Sequence, residues 1–313
     1  METTDSEQQA ASGDPAAQTQ KARTLLAGGR AAEGEERLRR AAAGGDAGAM
    51  AELGLFLFQT PASEPKYQEG VQLLLAGAEA GHAATRKQLS LLLGEGMDGA
   101  KLADAPPLRA LSQSPNPLMA VSPGFIPPAV CDWIVARART GLRPARTYDP
   151  GNASAAGTVS RNRTNSEMYF AAHELDLVLA ALRQRINSLS GLPLQSLEDT
   201  GVLHYTVGQE FRPHYDFLDP GVDAYAQDIE RRGQRIATIL VYLNDDFDGG
   251  ETHFPLANQR FKGRKGDALF FRNVDDNGAP DFRTLHAGLA PTRGEKWLLS
   301  QWARGPVAPG SRG

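Results

Sequence analysis

The spacing of apolar residues divides the chain into a helical first part and a strand-rich last part. From residue 20 to 95 the sequence is rich in Ala, Leu and Gly, and its apolar residues recur at helical spacing. From residue 198 onward, short apolar runs typical of strands take over. These runs lie at residues 202–207, 236–243, 268–271 and 297–302. The run at 236–243 is apolar on both faces, which predicts a strand covered on both sides. Helices followed by many short strands indicate helices packed on a β-barrel-like core.

Two more helices and two irregular segments are predicted between these parts. Residues 127–140 and 173–190 have helical periodicity, and residues 147–158 between them form a polar loop. Residues 96–117 are rich in proline and predict a linker. Residues 1 to about 18 are poor in aromatic and large apolar side chains, so we expect them to be disordered.

The helical part repeats itself at a period of 36 residues. Gly34 aligns with Gly70, and Leu38 aligns with Leu74. A period in the thirties, with a glycine turn between two helices, marks a helix-pair repeat. About two repeats are present, with a possible leading helix around residues 21–27. Such repeats predict either a surface for a peptide or protein partner, or a cap that only stabilises the domain that follows.

Composition and charge exclude several classes of function. The chain has 37 acidic against 33 basic residues, so we expect no nucleic-acid binding. No apolar run is long enough for a membrane span, and the polar, acidic first residues do not resemble a signal peptide. The single cysteine, Cys131, leaves no internal disulfide and fits a reducing compartment. We therefore expect a cytoplasmic protein.

Three residues form a candidate metal site. His214 and Asp216 stand in an H-x-D motif, and His286 follows much later in the chain. The spacing in H-x-D places both side chains on one face of a strand. Two imidazoles and one carboxylate are the ligands of the facial triad that holds non-haem Fe(II) in oxygenases and leaves positions open for a co-substrate and O2.

Further motifs accompany the triad in a fixed order. Tyr205 opens the pattern Y-x-x-G-Q-x-F, Thr252 lies in G-G-E-T-x-F-P, and Lys296 follows His286 by ten residues. Together with G-D-A-L-x-F at residues 266–271, these motifs resemble the prolyl 4-hydroxylase alpha-subunit family of Fe(II)- and 2-oxoglutarate-dependent dioxygenases. The helical part resembles the Sel-like branch of the tetratricopeptide superfamily.

The resemblance implies an α+β fold: a double-stranded β-helix (jelly-roll) catalytic core with flanking helices, preceded by a small α-helical repeat domain. The resulting domain prediction has five segments. These are a disordered N-terminus (1–18), Sel-like repeats (19–95), a linker (96–117), the dioxygenase domain (118–305) and a tail (306–313).

The resemblance also assigns roles to individual residues. His214, Asp216 and His286 are expected to bind Fe(II). Lys296 is expected to hold the C5 carboxylate of 2-oxoglutarate with help from Thr252, and Tyr205 also contacts the co-substrate. The expected substrate contacts are Arg235, Trp302 and Phe211. Residues 217–234 correspond to a mobile loop of the family.

The activity implied is hydroxylation of an unactivated C–H, first of all in a prolyl residue of a peptide or protein. Fe(II), 2-oxoglutarate, O2 and L-ascorbate would take part, with succinate and CO2 as co-products. Phe211 stands where the family often has tyrosine, which weakens the proline assignment, whereas the repeats favour a protein substrate. Three alternatives stay open: a hydroxylase of a free amino acid or small metabolite, a non-catalytic interaction protein based on the repeats, and a cupin-like metal isomerase or hydrolase. The last would not need Lys296 at its spacing from His286.

Overall fold

A computed structural model describes residues 15–61, 64–110, 118–146 and 161–307. The predicted polar loop at 147–158 lies outside the described residues, as do parts of the predicted linker and of both predicted terminal segments. Contacts between Cα atoms divide the chain into two compact units. Unit 1 consists of Met1–Asp104 and His173–Leu194, and unit 2 of Ala105–Ala172 and Gln195–Gly313.

Unit 1 is helical. Its α-helices are α1 (Pro15–Ala27), α2 (Ala31–Ala43), α3 (Ala47–Phe58), α4 (Pro65–Glu79), α5 (Ala83–Leu93) and α7 (Leu177–Ser190), with α6 belonging to unit 2. Small and aliphatic side chains of α1, α2 and α3 form one core, in which Ala22, Leu38 and Leu57 are fully buried. Helix α1 begins at Pro15, so the helical region starts earlier than residue 19, because alanine-rich sequence supports a helix without large apolar side chains.

The helices of unit 1 recur at the spacing of the sequence repeat. Helices α3 and α5 begin 36 residues apart, at Ala47 and Ala83. The turn before each contains a glycine with positive φ, 89° at Gly45 and 104° at Gly81, a conformation that glycine adopts without steric cost. The observed helices therefore match the period, while their assignment to the Sel-like class stays a prediction.

A glycine contact lets α3 and α4 pack closely. A Cβ atom at Gly70 would lie 2.6 Å from the backbone nitrogen of Phe58 and 2.8 Å from the carbonyl oxygen of Gly54. Real Cβ atoms do not approach backbone so closely, so the two helices touch through their main chains at this point. The glycine that recurs in the repeat is thus a packing requirement at this position.

Helix α7 groups with unit 1, although the sequence placed it in the second domain. The side-chain amide of Gln184 donates to the carbonyl oxygens of Phe58 and Thr60. The backbone N–H of Val178 donates to the side chain of Gln88, 3.3 Å away. These bonds join α7 to α3 and α5, a pairing that no local sequence pattern signals.

Unit 2 is built on two main antiparallel sheets, with a third sheet of only two strands. Its strands are β1 (Arg109–Ala110), β2 (Met119–Ser122), β3 (Arg143–Pro144), β4 (Ser166–Phe170), β5 (Thr200–Tyr205), β6 (Phe211–His214), β7 (Arg235–Tyr242), β8 (Asp248–Gly249), β9 (Thr252–Phe254), β10 (Gln259–Phe261), β11 (Ala268–Arg272), β12 (His286–Gly288), β13 (Pro291–Arg293) and β14 (Lys296–Arg304). The larger sheet has the order β1-β2-β11-β7-β14-β5-β4-β3, and the smaller has β10-β9-β12-β6.

The chain passes repeatedly between the two sheets. Consecutive strands β5 and β6 lie in different sheets, as do β11 and β12. The same is true of β7 and β9, and of β12 and β14, which are separated in the chain only by β8 and β13 respectively. The central strands β5, β7, β11 and β14 of one sheet and β6, β9, β10 and β12 of the other form an eight-stranded jelly roll. Helices α6 (Pro128–Arg139) and α8 (Asp223–Arg232) complete the unit. The predicted jelly-roll core with flanking helices is confirmed.

The core of unit 2 lies between the sheets. Its fully buried aromatic side chains include Tyr205, Tyr242, Phe254 and Phe271. Strand β7 is buried along its last six residues, as the apolar run predicted. Burial of β7 and of β14 on both faces fixes their register, and therefore fixes which of their side chains point to the interior.

Two predicted irregular segments contain regular structure. Strand β1, within the predicted linker, pairs with β2 and adds to the larger sheet. Residues 217–234, expected to form a mobile loop, contain helix α8. The segment is fastened at one end because the Gln234 side chain exchanges hydrogen bonds with the backbone N–H and C=O of Leu218. The helix was not predicted because its sequence is mostly polar and its apolar side is narrow.

Among the residues that the structure describes, none of the helices combines the length and the apolar character needed to cross a membrane.

Candidate active site

The candidate metal ligands meet where two strands of the smaller sheet lie side by side. His214 ends β6, His286 begins β12, and the two are direct partners in the strand register. Asp216 follows β6 by two residues and is buried, with 4% of its surface exposed. The ligand atoms of these three residues all lie within 4.8 Å of one another. The structure therefore brings the predicted triad together.

Backbone carbonyls orient both imidazoles. Nδ1 of His214 lies 2.8 Å from the carbonyl oxygen of Arg212, and Nδ1 of His286 lies 3.0 Å from that of Thr284. A carbonyl only accepts hydrogen bonds, so each Nδ1 carries the proton and each Nε2 keeps a lone pair. The Nε2 atoms face Asp216, at 3.7 Å for His214 and 3.6 Å for His286. This is the tautomer that a metal ligand needs.

Electrostatics keep these groups in the protonation states that bind a cation. Burial, together with the neighbouring His286, lowers the pKa of His214 to about 3. Burial alone would raise the pKa of Asp216, but the two histidines and a hydrogen bond from Thr238 outweigh it, so its pKa lies below the usual range. A neutral imidazole and an ionised carboxylate are the forms that coordinate a metal.

Asp216 is held by a second layer of hydrogen bonds. The Thr238 hydroxyl donates to Oδ2 of Asp216 at 2.7 Å. The side-chain amide of Asn273 donates in turn to the Thr238 hydroxyl at 3.0 Å. Thr238 and Asn273 are both fully buried. These two residues were missed from the sequence, because nothing in the chain pattern relates them to Asp216.

Lys296 is a buried basic residue. It begins β14 opposite Tyr205 on β5 and is fully buried. Among the described residues its Nζ atom has no hydrogen-bond partner. The aromatic rings of Tyr205 and Tyr242 flank it, with centroids 5.2 and 5.5 Å from Nζ. Burial lowers the pKa of Lys296 to about 7, so an anionic ligand would find a group that gains strongly from pairing.

A chain of hydroxyl groups lies near Lys296. The Tyr242 hydroxyl donates to the carbonyl oxygen of Phe261 at 2.9 Å and also lies 2.8 Å from the Thr252 hydroxyl. Since Tyr242 has one proton, Thr252 donates to Tyr242 in this arrangement. A carboxylate beside Lys296 would accept from Thr252 if Tyr242 turned its proton toward Thr252. Tyr242 was not predicted as a site residue, because its sequence context is that of a buried strand.

One cavity connects the triad with Lys296. It is lined by predicted site residues from both groups, namely Tyr205, Phe211, His214, Asp216, Thr252, His286, Lys296 and Trp302. The cavity thus has a metal-binding end with two imidazoles and a carboxylate, and another end with one ammonium. Arg235 does not line this cavity, but it lines a larger one that also contains His214, Asp216 and Trp302.

Arg235 belongs to a buried ionic cluster beside Trp302. Its guanidinium lies 3.8 Å from the centroid of the Trp302 ring and pairs with Glu198 at 2.7 and 2.9 Å. Glu198 also pairs with Arg304, which donates to Asp228 of α8 at 2.9 Å. The guanidinium of Arg235 therefore binds neighbouring side chains, and it positions the indole of Trp302.

Phe211 forms the middle of a stack. Its ring lies parallel to the His214 imidazole, with centroids 3.4 Å apart. The guanidinium of Arg163 lies over Phe211, 4.7 Å from the ring centroid. Arg163 is buried, pairs with Glu167 at 2.6 Å and lines both cavities. The sequence did not single out Arg163, since it stands among other polar residues after a polar loop.

The donor set fits Fe(II) and a dicarboxylate. Two neutral imidazoles and one carboxylate, close together and oriented by outer hydrogen bonds, suit a divalent transition metal. The ammonium of Lys296, which has no hydrogen-bond partner among the described residues, is destabilising when charged unless an anion pairs with it. A molecule with a metal-chelating end and a distant carboxylate satisfies both ends of the cavity.

The chain is similar to several known proteins. The profile of the 2OG-Fe(II) oxygenase superfamily matches residues 200–304, which include every predicted site residue. Prolyl 4-hydroxylase 1 of Arabidopsis thaliana is 33% identical over 203 residues, which cover 60% of this chain and 69% of that relative. The chain belongs to the prolyl 4-hydroxylase family.

Two further proteins are similar to this chain. Prolyl 4-hydroxylase 2 of Arabidopsis thaliana is 30% identical over 217 residues, which cover 63% of this chain and 70% of the relative. Among solved structures, a viral collagen prolyl hydroxylase from Paramecium Bursaria Chlorella virus-1, in complex with 2OG, is 27% identical and has a TM-score of 0.46. That match covers 60% of this chain and 96% of the viral one.

Membership of the prolyl 4-hydroxylase family and the assembled triad together define the enzyme class. The chain is a 2-oxoglutarate-dependent dioxygenase that uses Fe(II) and O2, and ascorbate is typical of its family. The prediction of a dioxygenase with these cofactors is confirmed.

Proposed function

We propose that this dioxygenase hydroxylates a prolyl residue within a peptide or protein chain. The observation that carries the proposal is the single cavity in which the His214, Asp216 and His286 triad and the unpartnered Lys296 lie together. Relatives that are named prolyl 4-hydroxylases support the choice of a prolyl substrate.

In this proposal the residues of the chain bind and orient the reactants. His214, Asp216 and His286 hold Fe(II), and Lys296 with Thr252 holds the far carboxylate of 2-oxoglutarate. Bound Fe(II) supplies the activation of O2, coupled to conversion of 2-oxoglutarate into succinate and CO2. The residues around the triad would exclude water and hold the substrate C–H next to the triad.

Substrate contacts are assigned to the wall next to the triad. Trp302 lines both cavities, and Arg235 holds the Trp302 indole in place through their stack. Tyr205 lies beside Lys296 and lines the co-substrate end. Phe211 stacks on His214 and presents an apolar edge. We infer that Phe211 orients His214 and makes no polar contact with substrate.

The direct test is O2-dependent conversion of 2-oxoglutarate to succinate by purified protein with Fe(II) and ascorbate, with and without proline-rich peptides. We expect peptide to stimulate succinate formation and to gain one oxygen atom by mass spectrometry. Stimulation by free proline but not by any peptide would support a hydroxylase of small metabolites instead. Metal binding without any turnover would support a non-catalytic interaction protein.

We further propose that α2 to α5 are two Sel-like repeats that provide a surface for a protein partner. The 36-residue spacing of α3 and α5 and the matching turn glycines support this assignment. A Gly70→Ala variant should lower the free energy of unfolding by about 1–3 kcal/mol, because the added Cβ overpacks the contact between α3 and α4. An unchanged unfolding transition would argue against a required glycine at this repeat position.

A further inference from the structure

The loop that connects β11 to β12 begins with a short hairpin. The backbone N–H of Asp281 donates to the carbonyl oxygen of Asn273 at 3.0 Å and closes the hairpin. Nearer its tip, the N–H of Asp275 donates to the carbonyl oxygen of Ala279 at 2.8 Å. Asn273 and Asp281 are both buried, with 0% and 5% of their surfaces exposed. We call these two residues the hairpin base.

One arm of hydrogen bonds leads from the hairpin base to Asp216. The Thr238 hydroxyl donates its single proton to Asp216, so Asn273 must present its amide nitrogen, and not its oxygen, to Thr238. The Oδ1 atom of Asn273 is buried and has no hydrogen-bond partner among the described residues. An unpaired buried acceptor is destabilising. The amide is therefore oriented for donation to Thr238, at the expense of its own acceptor.

A second arm leads from the hairpin base to His286. The carbonyl oxygen of Asp281 accepts from the backbone N–H of Thr284 at 3.0 Å and from its hydroxyl at 2.6 Å. The carboxylate of Asp281 caps the same turn, because it accepts from the backbone N–H of Arg283 at 3.0 Å. These bonds fix the carbonyl group of Thr284, whose oxygen lies 3.0 Å from Nδ1 of His286. The orientation of this imidazole therefore depends on Asp281.

The two arms meet at the hairpin base, which is itself anchored to β7. The backbone N–H of Asn273 donates to the carbonyl oxygen of Ile236 at 2.9 Å. Ile236 and Thr238 lie in the same strand, two residues apart. Asp216 follows β6 and His286 begins β12, so both ligands belong to the smaller sheet, whereas β7 belongs to the larger one. One buried pair of residues thus holds both ligands to the same strand of the opposite sheet.

We propose that Asn273 and Asp281 are positioning residues that couple Asp216 to His286, so that the two ligands are held as one unit. This inference rests on the metal site of the proposed function. Neither residue of the hairpin base lines either cavity, so both act through the groups that they hold. Residues behind metal ligands commonly contribute to metal affinity by fixing ligand orientation. Coupling adds a further consequence: a change that loosens one of the two ligands also loosens the other.

The test titrates the metal-free protein with Co(II), whose visible absorption reports the geometry of its ligands. Asn273→Leu removes the donor to Thr238 at similar volume, and Thr284→Val removes the hydroxyl that donates to Asp281. Each variant should weaken Co(II) binding by roughly 3- to 10-fold, the effect of one hydrogen bond, and should change the absorption spectrum. Because the arms form one unit, the double variant should weaken binding by less than the product of the two single effects. A double variant that shows the full product would overturn the coupling.

A matched control comes from the same hairpin. Asp276→Ala breaks an exposed ion pair with Arg272 and should leave both Co(II) affinity and the spectrum unchanged. If Asn273→Leu did not fold, Thr284→Val alone would decide, since unchanged Co(II) affinity and spectrum in that variant would overturn the positioning role. A lower melting temperature without a change in Co(II) binding would do the same, because it indicates a purely structural role. An unaltered protein that binds no Co(II) would instead overturn the proposed metal site, and this inference with it.

Discussion

The two ends of the buried cavity differ in how far the protein completes them. At the metal end, both imidazoles and the carboxylate have hydrogen-bond partners that set their orientation. At the other end, the ammonium of Lys296 is fully buried and unpaired among the described residues. The metal end is arranged in advance to receive a cation. At the Lys296 end, the desolvation of the buried ammonium destabilises the protein until an anionic ligand pairs with it.

In the proposed function, this difference gives one cavity two separable binding tasks. Pre-oriented ligands raise metal affinity because little freedom is lost when the ion binds. An unpaired buried cation instead gives selectivity, because only a ligand with a carboxylate at the right distance relieves its desolvation. Variants at either end should therefore damage different steps.

The largest effect is expected from removal of a metal ligand. His214→Ala should abolish detectable succinate formation and greatly weaken Fe(II) binding, because two ligands remain of three. The matched control is His253→Ala, a change on β9 that lies outside both cavities. Succinate formation by His214→Ala at a rate close to that of the unaltered protein would contradict the proposed role of His214 as a metal ligand.

A smaller effect is expected at the opposite end. Lys296→Met should raise KM for 2-oxoglutarate by roughly 10- to 100-fold, because the variant loses the binding free energy of one hydrogen-bonded charge pair. Anaerobic calorimetry should show unchanged Fe(II) affinity, because Lys296 is not a ligand. The variant should be at least as stable to heat, since an unpaired buried ammonium is removed. Loss of Fe(II) binding in Lys296→Met would show that the two ends are not separable.

The outer hydrogen bond to Asp216 offers a finer probe of the metal end. Thr238→Val keeps the shape but removes the hydroxyl that donates to Oδ2. Fe(II) affinity should fall by about 10-fold, at the low end of effects known for such outer residues. The measured KM for 2-oxoglutarate at saturating Fe(II) should stay close to that of the unaltered protein. A larger change in this KM than in Fe(II) affinity would contradict the proposed division of tasks.

The smallest effect is a dependence of co-substrate binding on pH. Burial lowers the pKa of Lys296 from 10.5 to about 7, and a bound carboxylate should raise it again. Binding above pH 7 must then take up a proton, so affinity should fall by up to about tenfold per pH unit as the pH rises. Calorimetry at pH 8 in buffers of different ionisation enthalpy measures this uptake. Proton uptake that persists in Lys296→Met would show that another group takes up the proton.

The same lysine affects stability in the opposite direction. Between pH 7 and its usual pKa of 10.5, Lys296 is neutral in the folded protein but protonated in the unfolded chain. The unfolded state then binds more protons, so the contribution of Lys296 to stability without co-substrate rises with pH over this window. Affinity for the anion and stability of the empty protein therefore change oppositely with pH.

Much of the catalytic unit could be predicted because its signals are local. Alternating and continuous apolar runs marked β5, β7, β11 and β14. The H-x-D motif and the spacing from His286 to Lys296 identified the residues that the structure gathers in one cavity. These features depend on positions close together in the chain, where periodicity and motif spacing carry the information.

The missed features depend on contacts between distant parts of the chain. Thr238 acts on Asp216 and Asn273 acts on Thr238, although each resembles an ordinary polar residue in or near a strand. Glu198 joins Arg235 and Arg304 across strands, and only the folded register reveals the cluster. Helix α7 groups with unit 1 for the same reason, through bonds to residues about a hundred positions earlier.

Recognition of the far carboxylate of 2-oxoglutarate by Lys296 can be measured directly. Anaerobic calorimetry with Fe(II) would compare 2-oxoglutarate with 2-oxobutyrate, a 2-oxo acid that lacks the distal carboxylate, in the unaltered protein and in Lys296→Met. The account predicts that the unaltered protein prefers 2-oxoglutarate by roughly 10- to 100-fold and that Lys296→Met binds both acids equally. A Lys296→Met variant that keeps the full preference would contradict it.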